Sequence, residues 1–376
     1  MDKAPPREKA ILAGFDDVSP DPDEGTFDEL SLLADTAGAA VVERVVQRRK
    51  KITPDHFMGR GKIEELAERV RQTGAGLVVF NHELSPLQFR NIERKTGVKV
   101  VDRTQLILDI FAMRAGSREA KIQVELAQLE YLLPRITGFG TELSRLGAGI
   151  GTRGPGETKL EMDRRRIRRR ISTLRKRLTH VERSRAVQKQ RRLKTGVPVV
   201  ALVGYTNAGK TTLFNAVCGE SAFVEDRLFA TLDPLSRTLF LPRAGRIIAV
   251  DTVGFIRGLP VKLVEAFKST LEEAVYAHVL VHVADVSHPE CRRQMETVRK
   301  LIAELAAADT PVVTALNKID LVGDAGVLEV LKKENEPSVA VSALNKIDLD
   351  KLKETIDALI TRRGGGARAR ETAQLR

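Results

Sequence analysis

Cysteine is scarce in this 376-residue chain, and long apolar runs are missing. The two cysteines, Cys218 and Cys291, stand in different segments without metal-ligand spacing, which excludes a disulfide framework and a zinc site built on thiols. No apolar stretch approaches the roughly 18–20 residues needed to cross a bilayer, so no membrane partner is expected. Met1–Lys9 is charged and carries prolines, and no apolar segment with a small-residue cleavage site follows it. A secretory signal is therefore not expected, and the reading is a cytoplasmic protein with reduced thiols.

Bases are lacking just after the N-terminal ten residues. Residues 11–30 hold seven acids and no Lys or Arg, interrupted by Pro20, Pro22 and Gly25, and residues 1–29 read as a flexible acidic lead-in. From 30 to 115, short β-branched runs (Ala40–Val46, Leu77–Phe80, Val98–Val101) alternate with helical stretches (Lys62–Gln72, Pro86–Lys95). That alternation predicts a small α/β subdomain.

The period changes over 116–196. Ile122, Leu126, Leu129 and Leu133 step by helical intervals, and Leu160, Ile167, Ile171, Leu174, Leu178 and Val181 keep a heptad register. Two long helices packed as an antiparallel hairpin are expected, joined by Thr137–Thr158, whose seven glycines stop either helix from running through. Acids are scarce in the second helix: Lys159–Lys194 holds sixteen bases against Glu161, Asp163 and Glu182, an excess of thirteen in a chain whose total is +12. With too few local acids to pair them, Arg164, Arg165, Arg166, Arg168, Arg169 and Arg170, together with Arg153 in the glycine segment, are candidate contacts to an RNA phosphate backbone.

Chemistry concentrates in 197–361. The apolar run Val199–Val203 leads into Gly204-Tyr205-Thr206-Asn207-Ala208-Gly209-Lys210-Thr211-Thr212 and then a helical pattern, the strand, loop and helix of a phosphate-binding P-loop. Glycines let backbone N–H groups face phosphates, Lys210 neutralises them, and the Thr211 hydroxyl can ligate Mg²⁺. Asn207 could help hold a K⁺ ion there. Ile247–Val250 ends in Asp251-Thr252-Val253-Gly254, where Asp251 can support the Mg²⁺ shell and the Gly254 N–H can meet a γ-phosphate. Between them, Phe229-Ala230-Thr231-Leu232-Asp233 offers Thr231 as a second Mg²⁺ hydroxyl from a mobile loop. Lys210, Thr231 and Gly254 are the candidate catalytic groups.

Base choice falls to Asn317-Lys318-Ile319-Asp320 after an apolar strand, because the Asp320 carboxylate can accept from the N1–H and N2–H₂ of guanine, a donor pair that adenine lacks. The hexapeptide Ala-Leu-Asn-Lys-Ile-Asp occurs at 315–320 and again at 343–348. Spacing favours the first copy: a further strand, Ser338–Val341, then precedes Ser342-Ala343-Leu344, whose N–H groups can face guanine O6. GTP and GDP are the expected ligands. Phe255 stands where a water-orienting Gln follows the glycine in Ras-type enzymes, and no arginine finger is marked. Slow intrinsic turnover follows. A modification enzyme would need a nucleophile or cofactor site, and none is found.

These motifs, with Met58-Gly59-Arg60-Gly61-Lys62, Leu84-Ser85-Pro86, Val101-Asp102-Arg103-Thr104 and Gly149–Thr158, resemble the HflX family of ribosome-associated GTPases over residues 30–360. The resemblance implies a Ras-like P-loop GTPase domain after the small α/β subdomain and the hairpin. It implies a protein that binds the large ribosomal subunit and its RNA and acts in splitting or rescue of stalled ribosomes; apart from the resemblance, a monomer is expected. A GTPase of ribosome assembly, or one acting on another structured RNA, is the alternative. Relatives carry a further small domain where only residues 362–376 follow here, read as a tail without order.

Overall fold

Two mostly parallel sheets organise the chain in the computed structural model, which describes residues 7–15, 26–48, 52–136, 155–194, 196–219, 228–229, 232–257, 274–304 and 310–374. These fall into two units, with the boundary between Val181 and Glu182.

In the first unit β1 (Glu8–Phe15), β2 (Ala39–Gln47), β3 (Leu77–Phe80) and β4 (Lys99–Asp102) form a parallel sheet in the order β2-β1-β3-β4. Helices α1 (Phe27–Thr36), α2 (Arg60–Thr73), α3 (Pro86–Thr96) and α4 (Arg103–Arg114) connect and cover it. Every residue of β3 is buried, as expected of a strand covered on both faces. The expected lead-in needs correction, because residues 1–29 contain β1, which lies between β2 and β3. Ala10–Ala13 are fully buried there, but the run is short and the acids that follow it dominate the local composition.

Beyond the sheet come α5 (Arg118–Ile136) and α6 (Pro155–Lys194). Ile122 and Leu126 of α5 bury against Ile171 and Leu174 of α6, flanked by Leu129, Leu133, Ile167 and Leu178. These are the positions that the heptad spacing singled out. The 137–154 stretch lies outside the described residues.

The second unit is a six-stranded sheet in the order β10-β9-β8-β5-β7-β6, from β5 (Val199–Gly204), β6 (Leu235–Leu241), β7 (Gly245–Asp251), β8 (Val279–Asp285), β9 (Val312–Asn317) and β10 (Ser338–Ala340). All neighbours run parallel except β6, which pairs antiparallel with β7. Around it lie α7 (Lys210–Cys218), α8 (Cys291–Glu304), a 3₁₀ turn (Ile319–Leu321), α9 (Ala325–Glu334) and α10 (Leu349–Gln374). Leu352, Ile356 and Ile360 seat α10 in the core. The backbone of α10 continues helically to Gln374, where a tail without order was expected from 362 onward.

Candidate functional site

Two glycines fix the course of the chain from β5 into α7. A Cβ on Gly204 would lie 2.3 Å from the Val283 carbonyl oxygen, and one on Gly209 would lie 2.4 Å from Asn317 Nδ2. Gly209 also has φ +85°, a left-handed conformation that glycine adopts freely. It begins α7 with no side chain capping the first turn, so the helix N-terminus keeps N–H groups for an anion.

Lys210 opens that helix, buried, with Nζ donating to the Tyr205 carbonyl at 2.7 Å. Burial lowers its pKa to about 8, against the opposing pull of Asp251. The Thr206 hydroxyl is buried and without a hydrogen-bond partner among the described residues. Gly254 comes close to both residues, since a Cβ there would stand 2.9 Å from Lys210 Nζ and from Thr206 Cα.

The strand-end motif packs onto this loop. Thr211 Oγ1 donates to Asp251 Oδ2 at 2.7 Å, and Thr252 Oγ1 donates to the Leu202 carbonyl at 2.6 Å. Val253 is buried, and Phe255, 2% exposed, is stitched to the loop through its own N–H to Gly204 O and through Thr206 N–H to its carbonyl. A ring held this way cannot orient a water.

The far wall comes from β9 and β10. Asn317 is 2% exposed; its Nδ2 donates to the Ala208 carbonyl at 2.9 Å and its Oδ1 accepts from Ala343 N–H at 3.0 Å. One amide thus ties the phosphate loop to Ser342-Ala343-Leu344. Lys318 has φ +65° and its Nζ pairs with Asp285 Oδ2 at 2.7 Å, while Asp320 is exposed and Ile319 half-buried. Ser342 is buried and Leu344 is exposed.

The second hexapeptide serves elsewhere. Ile347 N–H donates to the Ser342 carbonyl, Asn345 N–H donates to Ser342 Oγ, and Asp348, with φ +54°, pairs with Lys351 while its carbonyl takes Leu352 N–H. It makes a turn and starts α10.

Sequence reasoning missed Asp285, which also accepts from Ser287 N–H and Oγ. A carboxylate ending an apolar strand was the available signal. It also missed Arg257, buried, whose N–H donates to the Tyr205 hydroxyl and whose Nη1 pairs with Glu290 at 2.7 Å. Ala230, Thr231 and Arg153 lie outside the described residues; Phe229 and Leu232 are buried and Asp233 half-buried beside that gap.

The arginine cluster divides. Arg165, Arg166, Arg168 and Arg169 are exposed. Arg170 instead forms a two-pronged pair with Glu125 at 2.6 and 2.8 Å, Arg175 pairs with Glu130, and Arg164 lies 3.6 Å from Glu161. The expectation that too few acids are present to pair the cluster is corrected for Arg170: α5 supplies the missing carboxylate. Among the described residues no helix is long and apolar enough to cross a membrane.

Comparison with known proteins places this geometry. A family model described as GTP-binding GTPase N-terminal matches residues 24–112, GTP-binding GTPase Middle Region matches 114–192, and 50S ribosome-binding GTPase matches 199–318. A GTPase HflX of Caldanaerobacter subterraneus subsp. tengcongensis is 53% identical over 351 residues, 93% of this chain and 80% of that one. The GTPase HflX of Escherichia coli is 43% identical over 94% of this chain and 83% of its own. Among solved structures, a GTP-binding protein from the hyperthermophilic archaeon Sulfolobus solfataricus in complex with GDP is 28% identical, with a TM-score of 0.50, covering 94% of this chain and 99% of that one.

Proposed function

The chain belongs to the HflX family of GTPases, P-loop proteins that bind and hydrolyse GTP, and from that premise we propose that it is a nucleotide-switched factor of the large ribosomal subunit, acting in splitting or rescue of stalled ribosomes. The observation that carries the nucleotide part is the Asn317 amide, which bonds both the phosphate loop and the Ala343 turn. Base and phosphates would then be read by one rigid frame. In this reading Gly204–Thr212 cradles the phosphates, Asp251–Gly254 senses the γ-phosphate, Asp320 reads guanine, and Ser342–Leu344 faces O6.

Magnesium fits the donors present. Thr211 Oγ1 and the Asp251 carboxylate are hard oxygens 2.7 Å apart beside the phosphate loop, and few protein ligands are expected of an ion that keeps water and phosphate oxygens. Thr211 and, from the segment outside the described residues, Thr231 would hold it directly, with Asp251 behind; bound there, the ion would neutralise phosphate charge. A K⁺ ion beside Asn207 belongs to the same proposal. Phe255 makes intrinsic hydrolysis slow, and the ribosome would supply the ordering that this site lacks.

Ribosome association draws support from the matched model's description and from α6. We read α5 and α6 as the arms of an antiparallel hairpin, which their shared apolar cluster supports, with the glycine-rich segment at its tip. Arg165, Arg166, Arg168 and Arg169 form the exposed cationic face that suits ribosomal RNA phosphates. Co-sedimentation with ribosomes in a non-hydrolysable GTP analogue and in GDP tests partner and switch together. Binding only to the GTP-like state, and phosphate release stimulated by ribosomes, is the expected result. Equal sedimentation in both states would overturn the switch, and no sedimentation would turn the reading toward another structured RNA. Phosphate release in potassium against sodium tests the monovalent ion.

A further inference from the structure

Two of the sequence signatures, Leu84-Ser85-Pro86 and Val101-Asp102-Arg103-Thr104, lie outside the nucleotide site. Both converge on one buried carboxylate. Asp102 ends β4, is fully buried, and caps α4 by accepting from Gln105 N–H at 2.9 Å. Capping alone needs one acceptor. Asp102 takes three further donors: Leu84 N–H at 3.1 Å and Arg135 Nη2 at 2.9 Å on Oδ2, and the Tyr131 hydroxyl at 2.5 Å on Oδ1.

Tyr131 and Arg135 both belong to the last turns of α5, directly before the glycine-rich segment. Arg135 spends its fork three ways: Nη2 also donates to the Leu84 carbonyl at 3.1 Å, and Nη1 donates to the Tyr131 carbonyl at 3.0 Å. Its guanidinium lies 3.4 Å from the Tyr131 ring centroid and 5.6 Å from that of Phe89 on α3. The Arg135 side chain is 12% exposed and that of Asp102 0%. Burying such a pair costs desolvation that a well-packed apolar contact would avoid, so it is weak evidence for stability and better suited to holding one geometry. Burial and the neighbouring Asp102 charge both raise the Tyr131 pKa, so the phenol remains a donor.

We propose that Asp102, with Tyr131 and Arg135, is a positioning device that fastens the last turns of α5 to the α/β sheet, so that sheet and arm act as one body. The device rests on the ribosomal reading for its purpose but not for its geometry. Three kinds of contact meet at one point: a strand-end carboxylate, the backbone of the β3–α3 loop, and a guanidinium stacked between α5 and α3. A lysine cannot reproduce them, because it is a single point charge without a planar fork. An asparagine at 102 keeps the helix cap but turns an NH₂ donor toward donors at Leu84 or Arg135.

The test uses the full chain with Cys218 and Cys291 replaced, and spin labels on cysteines introduced at the exposed Arg71 of α2 and Leu132 of α5. Wild type should give one narrow distance distribution. R135K and D102N should retain cooperative melting and wild-type GTP affinity, give a clearly broadened distribution, and lose about tenfold in ribosome-stimulated hydrolysis, the kind of loss that small misplacements produce. A folded R135K with wild-type width would overturn the proposal. Should R135K and D102N fail to fold, Y131F, which keeps the ring under the guanidinium and loses one hydrogen bond, is read the same way: broadening supports the device, and wild-type width overturns it. If wild type shows no stimulation by ribosomes, the ribosomal reading fails while the distance measurement still decides the device.

Discussion

Both sheets feed strands into helices, and among the described residues the two units differ in what stands at the helix starts. In the first unit, Thr26 caps α1 through Glu29 N–H, Ser85 and Gln88 form a capping box on α3, and Asp102 caps α4. Gly59 begins α2 without a side-chain cap, but its N–H is taken by Gln47 Oε1 at 3.0 Å. In the second unit Gly209 begins α7 with no capping side chain, and Lys210 and Thr211 follow at once. A side-chain oxygen at a helix start satisfies donors that an anion would otherwise claim. Helices without a side-chain cap start in both units, at Gly59 and at Gly209; what sets α7 apart is the buried Lys210 that follows its glycine at once.

The strongest way to break this contrast is Lys210→Ala, which removes the cation and leaves the uncapped turn. We expect single-turnover hydrolysis to fall by about 10²–10³, the usual effect of losing a group aimed at developing charge. A variant within a few-fold of wild type would show that the open helix end suffices.

Base recognition gives the next effect. Asp320→Asn should weaken GTP by about 10–100-fold, as expected for a charge-assisted pair worth roughly 1.5–3 kcal/mol, and should admit xanthine nucleotides. Asp348→Asn should leave GTP binding unchanged, since that residue pairs with Lys351 at the start of α10. Titration with fluorescent nucleotides checks both; a damaging Asp348 change would reverse the assignment of the two hexapeptides.

On α6 the contrast is between open and paired cations. Replacing Arg165, Arg166, Arg168 and Arg169 with Gln should weaken ribosome binding and reduce its log–log salt slope by about 0.7–0.9 for each phosphate left without its cation. Arg170→Gln should change the slope little, because Glu125 already holds that guanidinium. Sedimentation across a salt series reads the difference.

The buried lysine adds a pH signature. Its folded pKa, about 8, lies below the 10.5 of a free side chain, so in the nucleotide-free protein the proton is lost from about pH 8 upward. GTP needs the ammonium, and its affinity should fall by up to about tenfold per pH unit above 8 until the bound-state pKa is reached. Between pH 8 and 10.5 the unfolded chain holds more protons at this site than the folded one, so the same group makes nucleotide-free stability rise with pH there. Isothermal titration at pH 7, 8 and 9 checks the affinity; a flat profile would mean that Lys210 stays charged throughout.

Ser85→Ala gives the smallest effect and tests the scaffold side. Loss of the capping box should cost about 1 kcal/mol of stability, seen in the melting temperature, with nucleotide affinity unchanged. Any loss of GTP binding would mean that the first sheet is more than a scaffold for the nucleotide site.

Much of this was legible from residue order alone. The P-loop, Asp251–Gly254 and Asn317–Asp320 stand in a fixed order behind apolar strands, and such motifs are local, because consecutive residues must shape one loop. The seam of Ile122, Leu126, Ile171 and Leu174 was legible too, since helical spacing records which side is buried. Strand β1 was not: a short apolar run is a weak signal beside a dense run of acids, and only pairing on both sides, with β2 and β3, makes it a strand. Spacing favoured Asn317 over Asn345, and the Asn317 contact with the phosphate loop bears that out; tertiary structure alone decided that Glu125 withdraws Arg170 from the cationic face and that Asp102 gathers Leu84, Tyr131 and Arg135. Each joins residues distant in the chain, and distant pairing depends on which faces dock, which periodicity does not encode.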